Sequence, residues 1–323
     1  MEVIKFYTNF TFEEELLNGF RKGIYNKKNY FFEFLFLWIE GDDKILWTPK
    51  GYDKQYLDQI RRLTGSVPHI SEKLKKEDRL ELWWGDSQKR NEVEINDKLT
   101  SFRARNELGF GLENSCIISQ QEELAQYSEF PEKHYLFKSR FGFSGRGMSS
   151  DPIKAKNFNL PLLVEPLLSV VDNYGITFFN ENDYFVIKNY SDHLGQFKGG
   201  EFVDFQDRVI LEKMKKIFEW YKFNFNVARL QIDFFSYLKE GELMWNYLSE
   251  VNHRKTMGYI LNQLKEKFGD RYAYLKIGAV DTTSLKVSKI NKIELSPINH
   301  PMKVTYLGSD HPNIRERYLQ NLV

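Results

Sequence analysis

Apolar and polar residues alternate most regularly in residues 229–258, and the pattern predicts two strands folded back on each other. Every second residue of 230–234 is apolar, which is the period of a strand with one apolar and one polar face. A second such segment, 243–252, follows a short polar link. The link contains Gly241, the residue type that a tight hairpin turn favours. We therefore expect a β-hairpin here.

The polar face of this hairpin carries two acids. In a hairpin symmetric about Gly241 and the residue after it, Asp233 lies directly opposite Glu250. Asn252 and then Arg254 lie on the side of Glu250, because side chains two residues apart share a face. Facing carboxylates repel each other unless a cation lies between them. The hairpin therefore predicts a metal site, and an ordinary solvated sheet edge is the alternative.

The pattern elsewhere predicts a mixed α/β protein. Predicted strands are 31–39, 44–47, 80–84, 116–118, 135–141 and a pair over 177–190. Predicted helices are 52–63, 99–108, 120–127, 207–221 and 255–268. The polar, acidic tract 88–97 is typical of a linker. We expect an N-terminal α/β domain at 1–95 and a second domain at 96–323.

Composition narrows the class of partner and compartment. The 323 residues carry a formal charge of +1, so no overall field attracts nucleic acid or an anionic membrane, and we expect neither partner. The single cysteine, Cys116, excludes an intrachain disulfide framework and fits a reducing compartment. The first residues lack the basic start and apolar run of a signal peptide. We expect a soluble cytoplasmic protein, and a homodimer only because dimers are common.

Four polar features precede the hairpin, and each is weak alone. Lys98 follows Asn-Asp, Lys138 lies on a predicted strand before the glycine loop 142–147, Glu165 precedes a proline, and Asp172 follows an apolar run. The ordinary interpretations are a solvated lysine, a structural turn and a strand end. The loop could present backbone N–H groups to phosphate, although it matches neither common nucleotide-binding glycine motif.

In their order along the chain, these features resemble the ATP-grasp superfamily over about residues 90–260. The matching segments are FKSRFGFSGRGM at 137–148, VEPLL at 164–168 and EVNHR at 250–254. In that family a lysine opens the fold and a second lysine precedes a mobile glycine loop. One acid then begins the hinge that holds adenine, another binds the ribose, and an acid with Glu-x-Asn-x-Arg binds metal. The ordered set is much more specific than any single member.

The resemblance implies ATP and Mg²⁺ as cofactors and assigns candidate residues. The implied metal ligands are Asp233, Glu250 and Asn252. The implied ATP contacts are Lys98, Lys138, Gly145, Arg146, Gly147, Glu165, Pro166, Leu168, Asp172 and Lys198. The implied catalytic residues are Lys138, Asn252 and Arg254. Oxygen ligands suit magnesium, and a surface lysine is the alternative interpretation of Lys198.

The expected function is a carboxylate–amine ligase that acts through an acyl phosphate and releases ADP and phosphate. Its substrates would be a small-molecule or peptide carboxylate and an amine. The expected architecture is a pre-ATP-grasp-like α/β domain followed by an ATP-grasp fold, with a mobile glycine-loop lid at about 130–165. The alternatives are a kinase-like phosphotransferase on the same fold and a non-catalytic nucleotide-binding subunit of a larger synthetase.

Overall fold

The chain forms three β-sheets with helices on their faces, within the residues that the computed structural model describes. Those residues are 3–19, 28–128, 134–142, 145–193, 195–278, 290–312 and 314–315. The mixed α/β class predicted from the sequence is confirmed. Within these ranges, no helix combines the length and the apolar character needed to cross a bilayer.

The first sheet is parallel and has the order β3-β2-β1-β4. Its strands are β1 (Ile4–Tyr7), β2 (Ile45–Trp47), β3 (His69–Ser71) and β4 (Arg79–Leu82). The accompanying helices are α1 (Phe12–Asn18), α2 (Tyr30–Ile39) and α3 (Lys54–Thr64), and α4 (Arg90–Ile95) follows. Side chains at the carboxyl ends of β1 and β4 meet at one edge, where ligands of parallel sheets bind.

The second sheet is antiparallel, with the order β5-β8-β6-β7. Its strands are β5 (Cys116–Ile118), β6 (Tyr135–Ser139), β7 (Met148–Ser149) and β8 (Leu162–Pro166). A 3-10 turn (Gln121–Leu124), α6 (Ala125–Ser128) and α7 (Pro152–Ala155) accompany it, and α5 (Lys98–Glu107) leads into it.

The third sheet has eight antiparallel strands in the order β13-β12-β9-β10-β11-β14-β16-β15. They are β9 (Ser169–Asn180), β10 (Asp183–Ser191), β11 (Phe197–Val203), β12 (Leu230–Lys239), β13 (Glu242–Asn252), β14 (Tyr272–Ile277), β15 (Asn291–Glu294) and β16 (Val304–Ser309). The helices that pack with it are α8 (Arg208–Phe225) and α9 (Met257–Phe268). The predicted hairpin is therefore β12–β13, at one edge of this sheet.

Two local predictions are wrong. Residues 31–39 form α2 rather than a strand, because the helix is enclosed on all sides: five consecutive side chains, 34–38, are fully buried. A helix buried all round has a continuous apolar sequence, which is also the pattern of a buried strand. The tract 88–97 contains α4 rather than a linker. Its Asn96 side chain caps α4 by bonding the Glu92 carbonyl and also accepts the His253 N–H at 3.0 Å, which fixes α4 to the end of β13.

One apolar core joins the first sheet to the end of the chain. Phe34 to Trp38 of α2 pack in the same buried cluster as Leu264 of α9, Leu275 of β14 and Tyr306 of β16. The α8 side of the eight-stranded sheet has a separate core, and the second sheet has a third. The division at residue 95 stays a prediction.

Candidate functional site

The two hairpin acids lie opposite each other, as the alternation predicts. Asp233 of β12 is the register partner of Glu250 of β13. The turn itself is one residue earlier than expected, because Glu240 and Gly241 both have positive φ (54° and 86°), the backbone of a tight two-residue turn. From the turn alone, the partner of Asp233 would be Leu248. A bulge between Asp233 and Phe235 shifts the register by two residues and brings Glu250 into place.

The bulge is held by a residue that the sequence reasoning missed. Arg105 of α5 is 1% exposed, and its Nη1 donates to the Leu248 carbonyl at 3.2 Å. Its Nη2 forms an ion pair with Glu165 of β8. Arg105 lies seven residues after Lys98, on the same face of α5, and that spacing is the signal that could have identified it. One guanidinium thus connects the hairpin to the second sheet.

Two lysines carry this charge network towards the acids. Lys138 of β6 forms a 2.5 Å ion pair with Glu165, and Lys98 at the start of α5 forms a 2.8 Å ion pair with Glu250. Burial alone would raise the pKa of Glu165, but the cations of Lys138 and Arg105 lower it to about 2. Burial likewise acts to raise the pKa of Glu250, but the charges of Lys98 and, to a smaller extent, Lys138 lower it. Glu165 thus lies between two cations, Arg105 and Lys138, and the charge of Lys138 also acts on Glu250, which Lys98 contacts.

Asp233 is the acid without a lysine partner. Its two oxygens accept hydrogen bonds from the amides of Gln231 and Asn252, both at 2.7 Å. Burial and the negative charge of Glu250 raise the pKa of Asp233 to about 7. Gly175 of the neighbouring strand β9 is paired with Asp233, and a Cβ at this position would be 3.0 Å from Asp233 Oδ1. The site has the excess negative charge that a cation would neutralise.

The donor set fits magnesium. Asp233 and Glu250 offer carboxylate oxygens from facing positions. Asn252 donates a hydrogen bond from its NH₂ group to Asp233, so its amide oxygen is available as a third hard ligand. Among the described residues, no group of three or more His, Cys, Asp or Glu side chains forms a metal cluster. Two carboxylates with one amide suit an ion that keeps several waters or phosphate oxygens, as Mg²⁺ does.

The glycine loop lies between β6 and β7, close to the β10–β11 turn. Gly145 and Gly147 have φ of 78° and 75°, where side chains are strained. The Gly145 Cα is 3.6 Å from where a Cβ on Gly195 would lie. Residues 143 and 144, which include Phe143, lie outside the described part. Before the loop, Arg140 pairs with Asp97 (Nε to Oδ2, 2.8 Å) and its carbonyl accepts the Lys98 N–H.

Arg146 lies on the same loop, and Lys198 follows the turn beside it. Lys198 is the second residue of β11 and forms a 3.1 Å ion pair with Asp192 of the turn. Both cations therefore lie on segments that meet at Gly145 and Gly195.

The hinge residues follow Glu165 at the end of β8. Pro166 has no N–H, and Leu167 donates its own to the His134 carbonyl at 2.9 Å. Leu168 is thus the first residue after Glu165 whose N–H these two constraints leave for a ligand.

Asp172 is not brought to the cluster. It is the register partner of Ser236, whereas Asp233 is the partner of Gly175, and the alternation of the pleat places these two pairs on opposite faces of the sheet. Asp172 forms a 2.6 Å ion pair with Lys188 and accepts a hydrogen bond from Tyr174.

Arg254 lies beyond β13, where the hairpin meets the first sheet. It forms an ion pair with Glu13 of α1 and lies 5.4 Å from the Trp84 ring centroid. Its positive charge also lowers the pKa of both Asp233 and Glu250, so it acts on the acid pair as well. Arg254 lines a cavity of about 360 Å³ between the end of β4, α4 and the start of α9.

No family model matches the sequence, and a search of the curated proteins finds no match. Solved structures do match in fold. An N5-carboxyaminoimidazole synthetase from Staphylococcus aureus is 10% identical, with a TM-score of 0.56 over 98% of this chain and 96% of that one. A phosphoribosylamine–glycine ligase from Thermotoga maritima is 11% identical, with a TM-score of 0.51 over 96% and 92%. The biotin carboxylase domain of a Hydrogenobacter thermophilus 2-oxoglutarate carboxylase, solved with MgADP, ADP and bicarbonate, is 13% identical, with a TM-score of 0.51 over 97% and 81%.

Proposed function

Because the chain has the ATP-grasp fold, we propose that it is an ATP- and Mg²⁺-dependent carboxylate–amine ligase. The observation that carries the proposal is a pair of ion pairs, Lys138–Glu165 and Lys98–Glu250, linked by the charge of Lys138 acting on Glu250, the residue opposite Asp233. Buried charges are costly unless paired, and pairs that converge on an unneutralised carboxylate are typical of a functional site. The chain spans nearly the whole length of synthetase and ligase structures.

The acid pair and Asn252 are the proposed metal ligands. Bound Mg²⁺ would neutralise Asp233 and Glu250 and offset the charge that develops on the transferred phosphoryl group. Asn252 orients Asp233 through its 2.7 Å hydrogen bond. Lys98 holds Glu250 in place.

The cations around the glycine loop are the proposed phosphate contacts. Lys138 and Lys98 already lie beside the acids, and the backbone of Gly145 and Gly147, with Arg146 and Lys198, would enclose the β- and γ-phosphates. Enclosure excludes water, which an acyl phosphate requires.

The hinge is the proposed adenosine site. Leu168 would donate its N–H to adenine and Pro166 would offer its carbonyl, while Glu165 positions Lys138 from beneath. Asp172 is the proposed ribose contact; because it lies on the sheet face opposite Asp233, the ribose would have to lie on that face, where Asp172 now forms an ion pair with Lys188.

The proposed chemistry has two balanced steps. A substrate carboxylate oxygen bonds to the γ-phosphorus as the bond to the ADP oxygen breaks. The amine nitrogen then bonds to the acyl carbon, phosphate leaves, and the nitrogen loses its proton. Arg254 would stabilise the oxyanion that develops at the acyl carbon.

The proposed division of labour follows the predicted domains. Residues 1–95 would form the N-terminal domain, 96–323 the catalytic domain, and about 130–165 its mobile lid. The partners would be small-molecule or peptide substrates.

The test is turnover of ATP and Mg²⁺ by the purified protein with pooled amino acids, short peptides and carboxylic acids. We expect ADP, phosphate and an amide of matching mass. Glu250→Gln should reduce turnover by about 100-fold or more, since one ligand charge is lost. Glu181→Gln, which removes an exposed carboxylate paired with Lys222, should not.

Other products would identify the alternatives. Release of AMP, or no turnover with any pool, contradicts the ligase proposal. A stable phosphorylated product instead of an amide would identify a phosphotransferase.

A further inference from the structure

The cavity beside Arg254 lies beyond the end of β13, the strand that carries Glu250 and Asn252. Its walls come from the segment after β4, from α4, from the residue before β12 and from the start of α9. The volume of about 360 Å³ is within the range of roughly 300–1,000 Å³ typical of small-molecule sites. Arg254, which lines the cavity, is close enough for its charge to lower the pKa of both Asp233 and Glu250. Arg254 therefore connects the cavity with the acid pair.

One wall of this cavity has a cation, Arg229, that forms no ion pair with a described carboxylate. Among the described residues, no carboxylate lies within 4.0 Å of the Arg229 guanidinium, which instead lies 4.6 Å from the Tyr259 ring. Burial lowers the pKa of Arg229. Lys255 lies close behind: its Nζ bonds the Trp83 carbonyl at 3.1 Å, and burial, with Arg229 opposing its charge, lowers its pKa to about 8.

The acids of the cavity wall are already occupied. Glu92 accepts the Asp86 N–H at 2.7 Å, and Lys89 lies 3.5 Å from Glu92 and 3.9 Å from Asp86. Glu92 still acts on Arg229 at longer range, where its charge raises the pKa of Arg229 against the effect of burial, but neither acid forms an ion pair with the guanidinium. A desolvated guanidinium gains most from a planar oxyanion that accepts two parallel hydrogen bonds.

The remaining walls are aromatic. Trp83, Trp84 and Phe179 line the cavity together with Tyr259. Flat apolar walls favour the carbon skeleton of a small ligand, and a few charged groups fix its orientation. A ligand bound in this way has one anionic end at Arg229 and its other end towards Arg254.

We propose that this cavity binds a substrate of the ligase, a small acid whose carboxylate or phosphate group pairs with Arg229. The reacting end of this substrate points towards Arg254 and Asp233. The proposal rests on the proposed ligase function for the identity of the reacting end. The pairing itself is independent of turnover.

The test is direct binding without ATP, at low ionic strength, by calorimetry with three probes. Inorganic phosphate and glutarate present the two oxyanions, and glutaramide is the neutral counterpart of glutarate. We expect wild type to bind at least one of the two anions and not glutaramide. Arg229→Gln should weaken that binding by 10-fold or more, and Arg62→Gln, an exposed arginine of α3, should not change it.

Arg229→Lys keeps the charge without the planar fork and should bind with intermediate affinity. Far-ultraviolet circular dichroism of each variant verifies the fold. Binding of neither anion, or equal binding by wild type and Arg229→Gln, overturns the proposal. In that case amide formation with ATP would still support the ligase proposal. Conversely, anion binding at Arg229 in a protein that makes no amide would support the anion site and contradict the ligase proposal. The preferred anion distinguishes a phosphorylated substrate from a dicarboxylic one.

Discussion

At the residue scale, several carboxylates are buried, and their surroundings shift their pKa values in opposite directions. Glu165 lies between two cations, which lower its pKa to about 2 against the effect of burial. Glu33 of α2 is 1% exposed and accepts a 3.1 Å hydrogen bond from Tyr52, and burial raises its pKa to about 7. The same residue type is therefore ionised at Glu165 at neutral pH, whereas Glu33 takes up a proton close to pH 7.

Glu33 predicts a pH-dependent stability. Its pKa in the folded chain, about 7, is above the ordinary value of 4.5, so its contribution is fully present below pH 4.5 and is lost as the pH rises through 7. Glu33→Gln removes this titration. We expect the free energy of unfolding of the variant, relative to wild type, to rise by up to about 3 kcal/mol between pH 4.5 and pH 8, as measured by urea unfolding.

The control is Glu77→Gln, an exposed carboxylate before β4, which should follow the pH dependence of wild type. A constant difference between Glu33→Gln and wild type across that range would show that Glu33 is not buried as a neutral acid.

At the element scale, alternation predicts the hairpin, because period two fixes which residues of one strand share a face. The pairing of Asp233 with Glu250 needs in addition the turn at Glu240 and Gly241 and the bulge that follows Asp233. Alternation does not predict α2, because a segment enclosed on all sides has no polar face to reveal its period. The order of charged residues predicts one site for Lys138 and Glu165, and these two residues form an ion pair. It does not place Asp172 with them, because Asp172 and Asp233 lie on different strands, and only the pairing of Asp172 with Ser236 and of Asp233 with Gly175 shows that they lie on opposite faces.

A glycine in β9 predicts an effect on the metal site. A Cβ at residue 175 would lie 3.0 Å from both Asp233 Oδ1 and Gln231 Nε2, so Gly175→Ala must displace the acid. We expect the Mg²⁺ concentration for half-maximal turnover to rise about 10-fold, with the melting temperature changed by a few degrees.

Val170→Ala on the same strand, at an exposed side chain, is the matched control and should keep the wild-type Mg²⁺ requirement. An unchanged requirement in Gly175→Ala would mean that Asp233 does not bind the ion.

At the scale of the whole molecule, the first sheet and the last strands are one folding unit in terms of packing. The Trp38 Nε1 donates to the Leu295 carbonyl at 2.7 Å across 257 positions of sequence. Burial of α2 against α9 then fixes the edge of the first sheet at which the Arg254 cavity opens. The sequence could not show this, because the contacts join its two ends.

Leu264 tests this shared core. It is fully buried in α9 within the cluster that contains α2, and Leu264→Ala should destabilise the protein by about 2–5 kcal/mol. Hydrogen exchange should then accelerate in β2 (Ile45–Trp47) as well as in α9, because both depend on the same core.

Leu162→Ala, in the separate core of the second sheet, should accelerate exchange there and leave β2 protected. Loss of protection in α9 alone after Leu264→Ala would show that the first sheet holds its structure independently.

The bulge in β13 also bears on how this protein can vary in sequence. Asp233 lies opposite Glu250 because residues 231–233 pair with residues 250–252 and because Arg105 donates a hydrogen bond to the Leu248 carbonyl in the bulge. The part of the hairpin beyond the bulge keeps its own register through the turn at Gly241. Paired insertions or deletions there would lengthen or shorten the tip while the acids stay aligned, so related chains can differ in hairpin length and share the same ion site.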